Sequence, residues 1–301
     1  VLFALAGCAT QTRALLHSPP AGLSRSIELS GTPFFPQTEY HCGPAALATV
    51  LAAAGLMADP DVLGQQVFLP ARTGTLQIEM MAGARRQGAV ATRLPPALDA
   101  LLQEVQAGHP VVVLQNLGLS WAPMWHYAVV VGYDLEAREI VLRSGTTRRA
   151  VMPLRTFEHT WQRSGAWAFT ALAPGQWPRM ADERAIVEAS VGFERVAPPA
   201  QAVAVYRSAL ERVPRSLSLT MGLGNSLYAT GDRAGAAEAF REAAQVHGSA
   251  PAWINLASTL LELGRQDEAL NAARQAVAAS DATWRERADA VLAQAMAAAP
   301  R

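Results

Sequence analysis

Gln37-Thr38-Glu39-Tyr40-His41-Cys42-Gly43-Pro44-Ala45-Ala46-Leu47 is the stretch whose reading decides the fold. Phe34-Phe35-Pro36 before it is an extended approach. Gly43-Pro44 opens an apolar helix that runs to about Ala54, with proline near the first helical position and Gly55 as its stop. Ala46, Leu47, Val50, Leu51 and Ala54 share one face, so that face is buried. Cys42 therefore stands at a helix N-terminus. Unpaired N–H groups and the macrodipole favour an anion there, and they are expected to stabilise a thiolate. A free cysteine is more often an inert buried side chain. Gln37 upstream and His126 far downstream lift Cys42 out of that class as a candidate nucleophile.

Working outward, helical patterns follow at about Asp59–Val67, Thr75–Gln87 and Pro96–Ala107. Val111–Leu114 is a short buried strand after the break at Gly108-His109-Pro110. Leu117 to Trp125 is a loop whose Trp121 and Trp125 either line a groove or pack under it. His126–Tyr133 reads as a fully buried strand beginning at His126. Ile140–Arg143 runs back from it, and strand-like runs follow at Ala150–Leu154 and Ala166–Leu172. Helices first and an antiparallel sheet after make an α+β domain over residues 31–178, closed by a linker at Pro174-Gly175-Gln176-Trp177-Pro178.

The 301 residues carry 25 basic and 25 acidic side chains, so the balance gives no electrostatic case for nucleic acid. Every basic residue is arginine. A P-loop lysine, a Schiff-base lysine and a Ser-Lys dyad are all excluded. The two cysteines, Cys8 and Cys42, each have a separate explanation, so no disulfide is expected. The pattern calls for no cofactor and no metal.

Gln37, Cys42-Gly43-Pro44-Ala45, Gly74-Thr75 and the strand from His126-Tyr127 to Gly132-Tyr133 resemble the papain-like cysteine peptidases that process double-glycine bacteriocin leaders, and their relatives outside transporters. The resemblance covers most of residues 31–157. It implies a thiol-dependent peptidase in which Cys42 attacks a carbonyl and His126 takes and returns the proton. Gln37 would donate to the oxyanion, joined by the Cys42 backbone N–H. The family pattern puts an Asp at the end of the strand after the histidine strand, and here that place reads Arg143-Ser144-Gly145-Thr146. Ser144 is the positional match for the third member. Asp134, in a hairpin turn, is the alternative. Ser144 orients an imidazole without balancing its charge. Arg143, Arg148 and Arg149 beside it read as a solvated strand face, or as a site for a substrate carboxylate.

Leu5-Ala6-Gly7-Cys8 resembles a bacterial lipobox at the end of a signal peptide over residues 1–8, which implies lipid attachment at Cys8. Residues 9–30 read as a tether. The implied location is the bacterial cell envelope, facing the periplasm, with Ala9 and Thr10 favouring the outer membrane. No apolar run of about 20 residues follows the first domain, so export within the same polypeptide is not expected.

Residues 183–299 carry a repeat. Ala202, Tyr206, Ala209 and Pro214 match the second half of a tetratricopeptide repeat; Ala236, Phe240 and Ala243 recur 34 residues on, and Ala269, Ala273 and Ala276 follow 33 further. Three units with a capping helix over Trp284–Ala297 are expected, so an all-α tetratricopeptide domain follows the α+β domain. Its concave face would take a protein or peptide partner, or the array would serve as a spacer or dimer surface. Beside the peptidase, two other functions stay open: a Cys-His acyl transferase or amidase, and an inactive papain-like scaffold.

Overall fold

The computed structural model describes residues 9–37, 41–72 and 74–298, in two compact units that divide between Val196 and Ala197. The lipobox and Cys8 lie outside the described residues. Among those described, no helix is long and apolar enough to cross a membrane.

The first unit begins with α1 (Thr10–His17), β1 (Ser26–Glu28), α2 (Cys42–Ala53) and α3 (Pro60–Val67). A small hairpin of β2 (Phe68–Leu69) and β3 (Gly74–Thr75) leads to α4 (Gln77–Arg86), β4 (Val90–Arg93) and α5 (Leu98–Gln106). Then come β5 (Val111–Asn116), β6 (Trp125–Asp134), β7 (Glu139–Ser144), β8 (Thr147–Pro153), α6 (Leu154–Gln162), β9 (Ala168–Leu172) and α7 (Glu183–Glu194). The antiparallel sheet runs β4-β9-β5-β6-β7-β8, and β1 pairs with the far half of β6, Ser26 opposite Asp134.

Side chains alternate across the pleat, and here both faces are covered. Tyr127, Val129 and Val131 of β6 face α2, α3 and α4 together with Val112, Leu114 and Phe169. Ala128 and Val130 face α5, α6 and α1 on the other side, with Val111, Val113 and Leu142. That double burial is why the central strands read as continuous apolar runs. It also sets α2, and hence Cys42, against the sheet at the end where β6 begins.

The tether is not observed. Residues 10–17 form a helix whose Thr12 and Leu15 are buried. The buried Glu158 carboxylate accepts from the Gln11 and Thr12 N–H groups at 3.0 and 2.7 Å, so it caps the first turn of α1 from another helix. Gln11 Oε1 accepts from Leu98 N–H, and β1 joins the sheet. Linker-like composition hid a segment that belongs to the core. A second difference concerns α7. It lies in the range read as repeats, yet it packs with the first unit, where Arg85 fills the space beside Gly192.

The second unit is all helical: α8 (Pro199–Arg212), α9 (Leu217–Ala229), α10 (Arg233–His247), α11 (Ala250–Glu262), α12 (Gln266–Ala279) and α13 (Arg285–Ala298). Small residues line its seams, and Ala236, Ala257, Ala269 and Ala273 are all fully buried. A Cβ at Gly224 would sit 2.5 Å from the Phe240 ring, so the aromatic residue of the repeat packs directly on the backbone of α9.

Candidate active site

Cys42 is the first residue of α2 and half-buried. Backbone N–H groups of Tyr127, Gly43 and Cys42 itself reach its sulfur and favour the thiolate. Burial is the larger effect, and it pushes the Cys42 thiol up from its ordinary value. The helix N-terminus alone does not make the thiolate that the sequence suggested. α2 approaches β3 closely: a Cβ at Gly43 would lie 2.7 Å from Thr75 Oγ1 and 2.8 Å from Thr75 Cβ, so only glycine fits beside Cys42.

His126 occupies the second position of β6. Its Nε2 lies 2.8 Å from Ser144 Oγ. Burial lowers the imidazole pKa, and no described charged group opposes the shift. With Nε2 engaged by the hydroxyl, Nδ1 is the nitrogen left for proton transfer. Cys42 and His126 are joined by no hydrogen bond; the sulfur is reached instead by the N–H of Tyr127, the next residue along the strand. Both shifts favour the uncharged forms, so the resting state is thiol and neutral imidazole.

Asp134 is not near this site. It ends the same strand eight residues away, about 26 Å at strand rise. Its carboxylate accepts from the Glu136 and Ala137 N–H groups at 2.9 and 2.8 Å, the work of a turn residue. The polar atom beside the histidine belongs to Ser144.

Gln37 is held through its backbone, whose N–H donates to Gly145 O at 3.2 Å. It lines a small cavity with Cys42, Tyr127, Arg143, Ser144 and Gly145. The residues between Gln37 and His41 are not described. Arg143 is not on a solvated strand face. It is buried, and it donates to Thr32 O, Ser30 O and Arg148 O at 3.3, 3.2 and 2.7 Å from Nε, Nη2 and Nη1. The guanidinium thus staples the approach to Gln37 onto the β7–β8 hairpin that carries Ser144. A buried arginine satisfied by carbonyls alone has no signature in sequence, where charge reads as exposure. Arg149, by contrast, pairs with Glu28 at the surface.

On the other side of Cys42 lies a cleft of about 970 Å³, lined among others by Arg72, Thr75, Gln77, Trp125 and Tyr127. Tyr127 Oη donates to Thr75 O at 3.1 Å and fixes its wall; burial and the nearby Cys42 push this phenol far up. Trp125 lines the cleft, whereas Trp121 stands in solvent at 82 % exposure, so neither packs beneath the loop. Arg72 is the one charged residue lining the cleft among those described. Among the described residues, no three His, Cys, Asp or Glu side chains converge as a metal would require.

Residues 30–169 match the family described as Peptidase_C39 like, and residues 250–283 match a tetratricopeptide repeat. A C39-like domain is therefore joined here to tetratricopeptide repeats. No curated protein matches. Among solved structures, a putative C39-like peptidase from Bacillus anthracis is 18% identical over 50% of this chain and 98% of its own, with a TM-score of 0.42. The peptidase domain of Streptococcus ComA, a bi-functional ABC transporter of a quorum-sensing pathway, is 19% identical over 47% and 98%, at 0.40. TTC0263, a thermophilic tetratricopeptide protein of Thermus thermophilus, is 20% identical over 49% and 82%, at 0.31.

Proposed function

From a C39-like domain and a repeat array in one chain as premise, we propose that the protein is a thiol-dependent peptidase with Cys42 as nucleophile and His126 as general base and acid. One observation carries this reading. Cys42 begins a helix at the wall of a peptide-sized cleft, with its sulfur on the N–H next to His126 and Ser144 behind that ring. In the reaction, His126 Nδ1 takes the thiol proton as Sγ attacks the scissile carbonyl. Gln37 Nε2–H and the Cys42 N–H donate to the oxyanion. Collapse breaks the C–N bond, and His126 returns the proton to the leaving amine. Water, deprotonated by the same imidazole, then hydrolyses the thioester and frees Cys42.

The repeats would recruit the protein substrate or a partner. Anchorage through a lipid on Cys8, at the envelope and facing the periplasm, belongs to the same proposal. Trapping tests it: the full chain with Cys42→Ala should retain a protein substrate that the wild type releases cleaved. Comparing turnover of an unfolded protein with that of a small amide separates a peptidase from an amidase or acyl transferase. A specific observation favours a second reading, an inactive scaffold. Among the described residues no carboxylate is bonded to His126, and burial favours the uncharged form of both groups. Identical behaviour of wild type and Cys42→Ala in every assay would select it.

A further inference from the structure

We propose that the hairpin tip joining β5 to β6, Leu117–Trp125, is a knob that docks on the apolar interface of a lipid bilayer. Leu117-Gly118-Leu119-Ser120-Trp121-Ala122-Pro123-Met124-Trp125 contains no charged residue. Leu117, Leu119, Trp121 and Met124 are 41, 52, 82 and 63 % exposed, a concentration of apolar side chains in water that calls for a partner, while Trp125 at the start of β6 lines the cleft beside Cys42.

The display is built rather than slack. Leu117 N–H donates to Met124 O at 2.8 Å, and Leu119 and Ala122 exchange N–H···O bonds at 3.1 and 3.2 Å. The buried Asn116 organises the tip from below: its Oδ1 accepts from the Gly118 and Met124 N–H groups at 3.0 and 2.9 Å, and its Nδ2 donates to Leu119 O. A Cβ at Gly118 would meet Ala122 O at 2.4 Å, so the crossing of the two arms needs glycine. The ordering entropy of a docking loop has already been lost.

Shape, size and chemistry select the occupant. Leu117, Leu119, Trp121 and Met124 do not line the cleft beside Cys42, whereas a peptide is bound in a groove. A stable protein interface covers about 800 Å² per partner, more than one short hairpin offers. An uncharged tip rich in tryptophan suits the boundary between headgroups and acyl chains, where an indole buries its ring and keeps its N–H wet. The entry of the chain agrees. The first turn of α1 is held by Glu158, which also accepts from Gln162 Nε2. Ser164, two residues further, donates to Leu114 O at the base of the hairpin. Ala9 thus lies at the end of the sheet that carries the knob, so attachment through the preceding residues would bring the knob to the same surface. The proposal does not depend on peptidase activity.

The test uses the full chain with Cys8→Ser, so that no lipid contributes, and vesicles of phosphatidylcholine with brominated acyl chains. Tryptophan emission should be quenched and shifted to the blue, equally at about 0.1 and 1 M salt, because the tip carries no charge. Trp121→Ser with Met124→Ser should weaken partitioning roughly tenfold and leave Cys42-dependent turnover of a soluble peptide unchanged. Absence of quenching in the parent, its loss in salt, or equal quenching in the double variant overturns the proposal. So does a double variant that partitions like the parent and loses turnover of a protein, which would make the tip a substrate surface.

Discussion

Ser144 Oγ stands 2.8 Å from His126 Nε2, where a carboxylate would balance an imidazolium. A hydroxyl holds the ring and adds no charge, so the proposed proton transfer from Cys42 would create an imidazolium stabilised only by its surroundings. Ser144→Asp should therefore raise kcat/KM by about tenfold or more, and Ser144→Ala should lower it, read in one peptide assay. The sign of the pH dependence follows from burial. The thiol is raised and the imidazole lowered, so the thiolate fraction grows only on the alkaline side. Iodoacetamide alkylation of Cys42 should inflect above the value of about 8.5 for free cysteine, and Ser144→Asp should move the inflection toward acid. On the proposed mechanism Arg143 would act through Gln37, whose approach it holds at Ser30 and Thr32. Arg143→Met and Gln37→Ala should each lower kcat with little change in KM, and their combination should cost no more than the larger single effect. The family pattern pointed to the place of Ser144, with Asp134 as the alternative, and the structure puts the Ser144 hydroxyl beside His126. Arg143 was not legible, because a guanidinium satisfied by three backbone carbonyls looks in sequence like any surface arginine.

Elements were legible in proportion to their length and periodicity. The helix after Cys42 and the strand after His126 are long apolar runs, and they stand within one residue of where the pattern put them. β1, β2, β3 and β4 span two to four residues each, too few for a period to register; pairing with distant strands defines β1 and β4, and β2 and β3 pair with each other. α1 was hidden for another reason. Its cap is Glu158, far along the chain, so no local capping residue announces it. Glu158→Ala should leave two buried N–H groups and the Gln162 amide without their acceptor. It should destabilise the first unit by about 2–4 kcal/mol, measured by urea unfolding, with the loss detected first as hydrogen exchange in residues 10–17.

At the scale of the molecule, two cores fold from one chain. The sheet domain uses long-range pairing, whereas the helical unit stacks neighbours through seams of alanine and glycine. The repeat spacing made the second legible at once, since an interval of 33 or 34 residues has few other physical meanings. The boundary was harder, because α7 is amphipathic like its successors and packs backward onto the sheet domain. The proposed division of labour, with one unit cutting and the other holding, rests on the chemistry of Cys42. Intact-mass spectrometry of the full chain, mixed with an unfolded protein and quenched in acid, measures it directly. A thioester adduct mapping to Cys42 and absent from Cys42→Ala, together with Cys42-dependent fragments of the protein, is the predicted result. Equal fragments from both chains, or none from either while both remain folded, would contradict it.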